Sequence, residues 1–228
     1  PEKFVWLGVA ALAALAVHGL SILLARLTIR DKVESRRRVL RFGVVFSNAG
    51  YMSIPLQKAL LGEDGVLVGA AYLVVFNLVL WSYGLLEMSG QRSSLSVKKL
   101  VLNPGMIGLA VGLLVFFLPF SLPEMLAAPI RSLSALNTPL PMLVIGYYLG
   151  KTDLKQALRD RGAYVAAGLR LAVLPLLSLG GMWLCGIRGT VLISCMIAVC
   201  APAAAATTMF ATRYSQDTAL SVNLVSLT

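Results

Sequence analysis

Residues 46–55 read FSNAGYMSIP, inside a stretch otherwise apolar enough for a bilayer. A membrane helix has no local reason to carry Ser47, Asn48, Gly50, Ser53 and Pro55 near its middle. Pro55 removes a backbone hydrogen bond and crowds the preceding turn, and Gly50 loosens the backbone nearby. In lipid the freed amides and carbonyls must find partners, so non-helical backbone is tolerated only against protein or a water-filled cavity. The decapeptide therefore predicts a helix interrupted within the membrane.

The rest of the chain supports the bilayer setting. Of 228 residues, 58% are hydrophobic and only 13% charged, and the mean hydropathy is +0.82; soluble domains carry about 25% charged residues. Apolar windows of the roughly 20 residues that cross a hydrocarbon core predict spans at Phe4–Leu24, Val39–Leu60, Val66–Glu87, Leu100–Pro119, Leu133–Leu149, Ala163–Leu184 and Thr190–Thr212, with another starting near Thr218. The fold class expected is an all-α polytopic membrane protein.

The net charge of +10 has to be placed on this topology before a partner is assigned to it. Arg26, Arg30, Lys32, Arg36, Arg37, Arg38 and Arg41 lie between the first two spans, whereas the next connection has Lys58 alone. Basic-rich and basic-poor connections then alternate: Arg92, Lys98 and Lys99; Arg131; Lys151, Lys155, Arg159 and Arg161; Arg188. The Arg30–Arg41 loop is thus read as cytoplasmic and as a topology signal, and with no aromatic interleaving it gives no nucleic-acid surface. Cys185, Cys195 and Cys200 lack metal-ligand spacing and read as small apolar residues. No metal site or cofactor is expected. The apolar run after PEK reads as a span, not a cleaved leader, and the chain's ends suggest that a longer protein extends beyond both.

A second interruption follows at CAPAAAATTMF, Cys200–Phe210, where Pro202 precedes four alanines, Thr207 and Thr208. A shift of 153 residues lays Asp64 on Asp217, Glu63 on Gln216 and Leu67 on Leu220. By the charge count the two interrupted spans run in opposite directions. Paired broken helices in inverted repeats are a mark of secondary transporters with a midplane site.

FSNAGYMSIPLQKALLGEDG, VVFNLVLWSYG (Val74–Gly84), LNPGMIGLAVGLLVFFL (Leu102–Leu118) and APAAAATTMFATRY followed by Asp217 resemble the auxin efflux carrier family of plants and bacteria. The resemblance implies ten spans in two inverted five-helix repeats with crossing broken helices, of which this chain would hold spans three to nine and part of the tenth. It implies a transport domain at 1–87 and 163–228, a linker at 88–99, scaffold helices at 100–150 that form a homodimer, and a cytoplasmic loop at 151–162. It also implies that Asn48 contacts substrate. Where relatives place Gln or Asn after the second proline this chain has Ala203–Ala206, which leaves backbone, Thr207 and Thr208 there.

The candidate substrate-binding residues are accordingly Ser47, Asn48, Gly50, Tyr51, Pro55 and Asn77, with Pro202, Thr207 and Thr208 opposite. Ser47 and Ser53 alternatively cap freed backbone, Tyr51 alternatively packs, and Asn77 alternatively joins helices. His18 is a candidate proton relay within the first span. Arg170, about 12 Å inside the sixth span, either snorkels to the cytoplasm or pairs with a substrate anion. Glu87 reads as interfacial, Gly105, Gly108 and Gly112 as helix packing, and Asn137, Pro139 and Pro141 as a helix start. The function expected is a secondary carrier of a small organic anion, such as malate, malonate or an auxin-like acid, in a bacterial inner membrane. Coupling to H+ or Na+ stays open; a sodium-coupled bile-acid-type symporter and a non-transporting receptor are the alternatives. Paired carboxylates or a Ser/His dyad within the spans, which an enzyme would need, are lacking.

Overall fold

The computed structural model describes residues 2–90, 102, 104–117, 123–136, 139–150 and 159–228. Its regular elements are helical: α1 (Glu2–Thr28), α2 (Glu34–Val45), α3 (Ile54–Val79), α4 (Leu85–Ser89), α5 (Pro104–Phe117), α6 (Glu124–Ala135), α7 (Pro139–Leu149), α8 (Arg161–Gly168), α9 (Leu174–Leu184), α10 (Gly189–Cys200), α11 (Ala206–Arg213) and α12 (Thr218–Leu227). Wider π-helical turns at Ala49–Ser53, Leu80–Gly84 and Leu169–Val173 join neighbouring helices. Lys3–Thr28, Ala49–Ser89 and Arg161–Leu184 are each long and apolar enough to cross a membrane, and Gly189–Cys200 and Thr218–Leu227 are shorter apolar helices.

Two of the π turns explain how a proline is carried inside a long helix. Pro55 follows the turn ending at Ser53, and Pro175 follows the turn ending at Val173, at the same spacing. A proline has no N–H and clashes with the carbonyl four residues back. The wider π turn moves that carbonyl aside. Pro55 therefore does not itself break the helix, as the sequence reading had it; the backbone departs from helix earlier, at Phe46–Asn48.

The long run from Ala49 turns back at Gly62, whose φ of +65° and ψ of −152° are open to glycine alone. On a straight helix Gln57 and Gly69 would stand about 18 Å apart. Instead a Cβ on Gly69 would lie 1.9 Å from Gln57 Oε1, so the two limbs pack side by side. The expected spans at Val39–Leu60 and Val66–Glu87 are thus separate limbs. The expected fifth span is not one helix, because Leu133 lies in the last turn of α6, which ends at Ala135, and α7 begins anew at Pro139 and runs to Leu149. Proline at positions 139 and 141 starts a helix readily but does not continue one. Arg92, Lys98, Lys99, Asn137, Lys151 and Lys155 fall outside the described residues, as do most of the expected linker and the expected loop at 151–162.

The buried apolar cluster draws on residues between Ala10 and Met88 and between Ala163 and Leu224, with none from the described part of 102–150. Within it α3 packs against α1 and α10, and α2 against α1, α8 and α12. One end of this unit is fastened by Arg36, which meets Asp160 at 2.6 Å, Asp31 at 3.1 Å and Asp217 at 3.6 Å. Two of those carboxylates also cap helices: Asp160 accepts from Ala163 N at 3.1 Å and Asp217 from Leu220 N at 2.9 Å. Asp64, which the 153-residue shift lays on Asp217, instead pairs with exposed Lys3.

Partial burial alone would raise the Asp31 carboxyl, but the Val33 amide and the Arg36 guanidinium hold it below its ordinary value of 3.8. A carboxyl lowered by folding stabilises the native state above its unfolded pKa and loses that contribution as pH falls through the folded one. Arg36→Gln should therefore lower native stability at neutral pH by on the order of 1 kcal/mol. Thermal unfolding in detergent should show the variant and the parent converging as pH drops below about 4.

Candidate functional site

α2 ends because Phe46 turns extended (φ −102°, ψ 113°), and α10 ends because Ala201, ahead of Pro202, does the same (φ −59°, ψ 146°). The two unwound stretches lie against each other as one antiparallel bridge between Ser47 and Ala203. Asn48 N donates to Pro202 O at 2.7 Å, and Ala204 N donates to Phe46 O at 2.9 Å. Each interruption thus supplies the partners that the other lacks.

The remaining freed groups are met by side chains. Arg170, in the π turn between α8 and α9, is 2% exposed. Its guanidinium donates to Val44 O at 3.1 Å, to Ala201 O at 3.3 Å and to Val199 O. The side chain therefore does not snorkel to the cytoplasm, because three carbonyls at the ends of α2 and α10 hold it inside. Ser53 Oγ donates to Ile197 O at 3.3 Å, the backbone-capping alternative for that residue. Ala203 N reaches Thr228 Oγ1 at 3.0 Å.

Beyond the bridge both chains re-enter helix, and their first amides point out of the accounting. Ala49, Gly50, Ala205 and Ala206 find no backbone acceptor among the described residues. Asn48 precedes the first of these turns; it is 5% exposed, and its side-chain amide has no hydrogen-bond partner among the described residues. Thr207, second in α11, is fully buried with an unpartnered Oγ1. Thr208 Oγ1 instead accepts from Ser221 Oγ at 3.3 Å.

The other candidates lie partly in this arrangement and partly outside it. Ser47 is buried in the bridge, Gly50 and Tyr51 are half-buried in the π turn, and Pro55 begins α3. Asn77 donates to Leu73 O at 2.8 Å on its own helix, so neither a cross-helix bond nor a link to the bridge is seen for it. His18 bonds Ala14 O at 2.7 Å through Nδ1; a carbonyl only accepts, so this nitrogen bears the proton. Its ring lies 5.7–6.2 Å from the rings of Tyr72, Phe76 and Phe46. An apolar cavity of about 570 Å³ adjoins the bridge, lined by Met52, Ser53, Leu56, Met196, Ala201 and Pro202 among others, but not by Asn48 or Thr207.

A profile of the membrane transport protein family matches residues 3–228, practically the whole chain. The chain belongs to that family. It is the auxin efflux carrier family indicated by the motifs above. An uncharacterized transporter of Methanothermobacter thermautotrophicus is 30% identical over 145 residues, covering 62% of this chain and 47% of the relative. The chain therefore spans about half the length of that relative. Family membership together with the apolar helices makes the chain an all-α integral membrane protein.

In this family member, sequence reasoning passed over Gln57 and Ser194. Gln57 Nε2 donates to Ser194 O at 2.9 Å and Ser194 Oγ to Gly65 O at 2.9 Å, tying the returning limb of α3 to α10. Gln57 Oε1 is buried without a partner. The available signal was a lone amide four residues after the FSNAGYMS segment, ahead of a limb that carries Gly65 and Gly69 four residues apart. Because the bridge is made of backbone, a backbone substitution tests it. Ala204→Pro removes the N–H given to Phe46 O and should lower stability by about 1–3 kcal/mol, read as a drop in the thermal midpoint of purified protein.

Proposed function

We propose that this chain is part of a secondary carrier that moves a small organic anion by alternating access. The observation that carries this reading is the mutual pairing of two interrupted helices, with unpartnered amides and two buried, unpartnered polar side chains beside it. Helix starts carry about half a positive charge and exposed N–H donors, which favours carboxylate. Asn48 and the Ala49 and Gly50 amides would bind from one side. Ala205, Ala206 and Thr207 would bind from the other, where side-chain amides are replaced by alanine backbone.

On this reading the two halves are inverted repeats, and the buried unit 1–87 with 163–228 moves as an elevator against α5–α7, through which a homodimer forms. The basic stretch Arg30–Arg41, expected as a loop but helical from Glu34 onward as the start of α2, faces the cytoplasm of a bacterial inner membrane. The shared core, to which the described residues of α5–α7 contribute none, supports that division.

The test is uptake or exchange of labelled malate, malonate and indole acetate by the full-length protein in liposomes. Asn48→Ala should reduce flux at least tenfold, and Thr207→Val by a smaller factor, with the protein still folded. Absence of flux across a broad panel of organic acids would end the proposal.

A further inference from the structure

The geometry points to Arg170 as the residue that decides which sign of charge the break accepts, without touching the substrate. This inference rests on the carrier reading above and adds the origin of its anion preference. Four helix ends meet at the paired interruptions. α2 and α10 bring their carbonyl ends, and the turn at Ala49 and α11 bring their amide ends. Each end carries about half an elementary charge, negative at the carbonyls and positive at the amides. Left alone, the two pairs would largely cancel, and the break would have little preference between an anion and a cation.

Arg170 removes that balance. Its guanidinium binds Val44 O on the α2 side and Val199 O and Ala201 O on the α10 side. One buried positive charge thus sits on both carbonyl ends at once. Among the described residues no carboxylate lies within ion-pair distance of it. The titratable groups that face it are His18 from α1, Tyr72 from α3 and Cys200 from α10, none of which is an anion at neutral pH in its ordinary form. The carbonyl ends are neutralised and the amide ends are not, so the net potential at Asn48, Ala49 and Gly50 is positive. Arg170 itself is held by carbonyls and stays a positioning residue.

The experiment reads that potential directly. Full-length protein with Cys185, Cys195 and Cys200 replaced by Ala or Ser receives Gly50→Cys, a site where an added Cβ meets only Leu73 Cδ1, at 3.7 Å. Its thiol is modified with two methanethiosulfonates of similar size, the anionic sulfonatoethyl and the cationic trimethylammonioethyl reagent. With Arg170 present the anionic reagent should react faster. Arg170→Gln should lower the anionic-to-cationic rate ratio about tenfold or more, as expected for loss of a unit charge within about 10 Å in a low-dielectric site. Arg170→Lys keeps the charge but not the planar fork, so it should keep the ratio while lowering the thermal midpoint.

In the transport assay, Arg170→Gln should raise KM for whichever of malate, malonate or indole acetate is carried. It should leave inhibition by that acid's uncharged amide unchanged. A ratio unmoved by Arg170→Gln would overturn the inference, as would a ratio lost in Arg170→Lys, which alone decides the matter if the Gln variant does not fold. Failure of both reagents to react would overturn it too, because an anion site must be reached by water. If no acid is carried but the ratio behaves as stated, the carrier reading falls and the assignment of the field to Arg170 stands.

Discussion

Two short pieces of unwound backbone in an apolar interior each leave peptide groups that neither water nor their own helix can satisfy. In this chain they satisfy each other: Phe46 O takes Ala204 N, and Pro202 O takes Asn48 N. An unmatched buried peptide group costs roughly 1–3 kcal/mol, so neither interruption is affordable without the other. That mutual requirement fixes how α2, α3, α10 and α11 meet. The helices that pack around them, α1, α8, α9 and α12, follow from it.

The surrounding polar residues fall into two groups by what they do for this pairing. Arg170, Ser53 and Thr228 complete the backbone accounting, each with a donor or acceptor that the bridge geometry leaves over. Thr207 does not, since its buried Oγ1 has no partner, and Asn48 makes no side-chain cap bond; both lie next to amides with no backbone acceptor among the described residues. A polar side chain held in an apolar interior without a partner is unfavourable for stability alone.

The apolar cavity beside the bridge and the polar groups at it do not coincide, since Ser53, Ala201 and Pro202 border the cavity while Asn48 and Thr207 lie elsewhere. Family membership and the relative agree with a transporter.

Much of this was legible in the residues alone. Apolar run length indicated the helical membrane class, because hydrocarbon thickness dictates it, though not the fifth span, and proline, glycine and asparagine within those runs marked both interruptions. Sequence could not say where the first break falls, since a π turn lets Pro55 stay helical and moves the break to Phe46–Asn48. Nor could it assign Arg170, because snorkelling, substrate pairing and carbonyl binding use the same side chain at the same depth. Only the tertiary arrangement, which brings Val44, 126 residues away, and Val199, 29 residues away, to one guanidinium, decides among them. Local composition sets what each segment must satisfy; the fold alone chooses which distant group satisfies it.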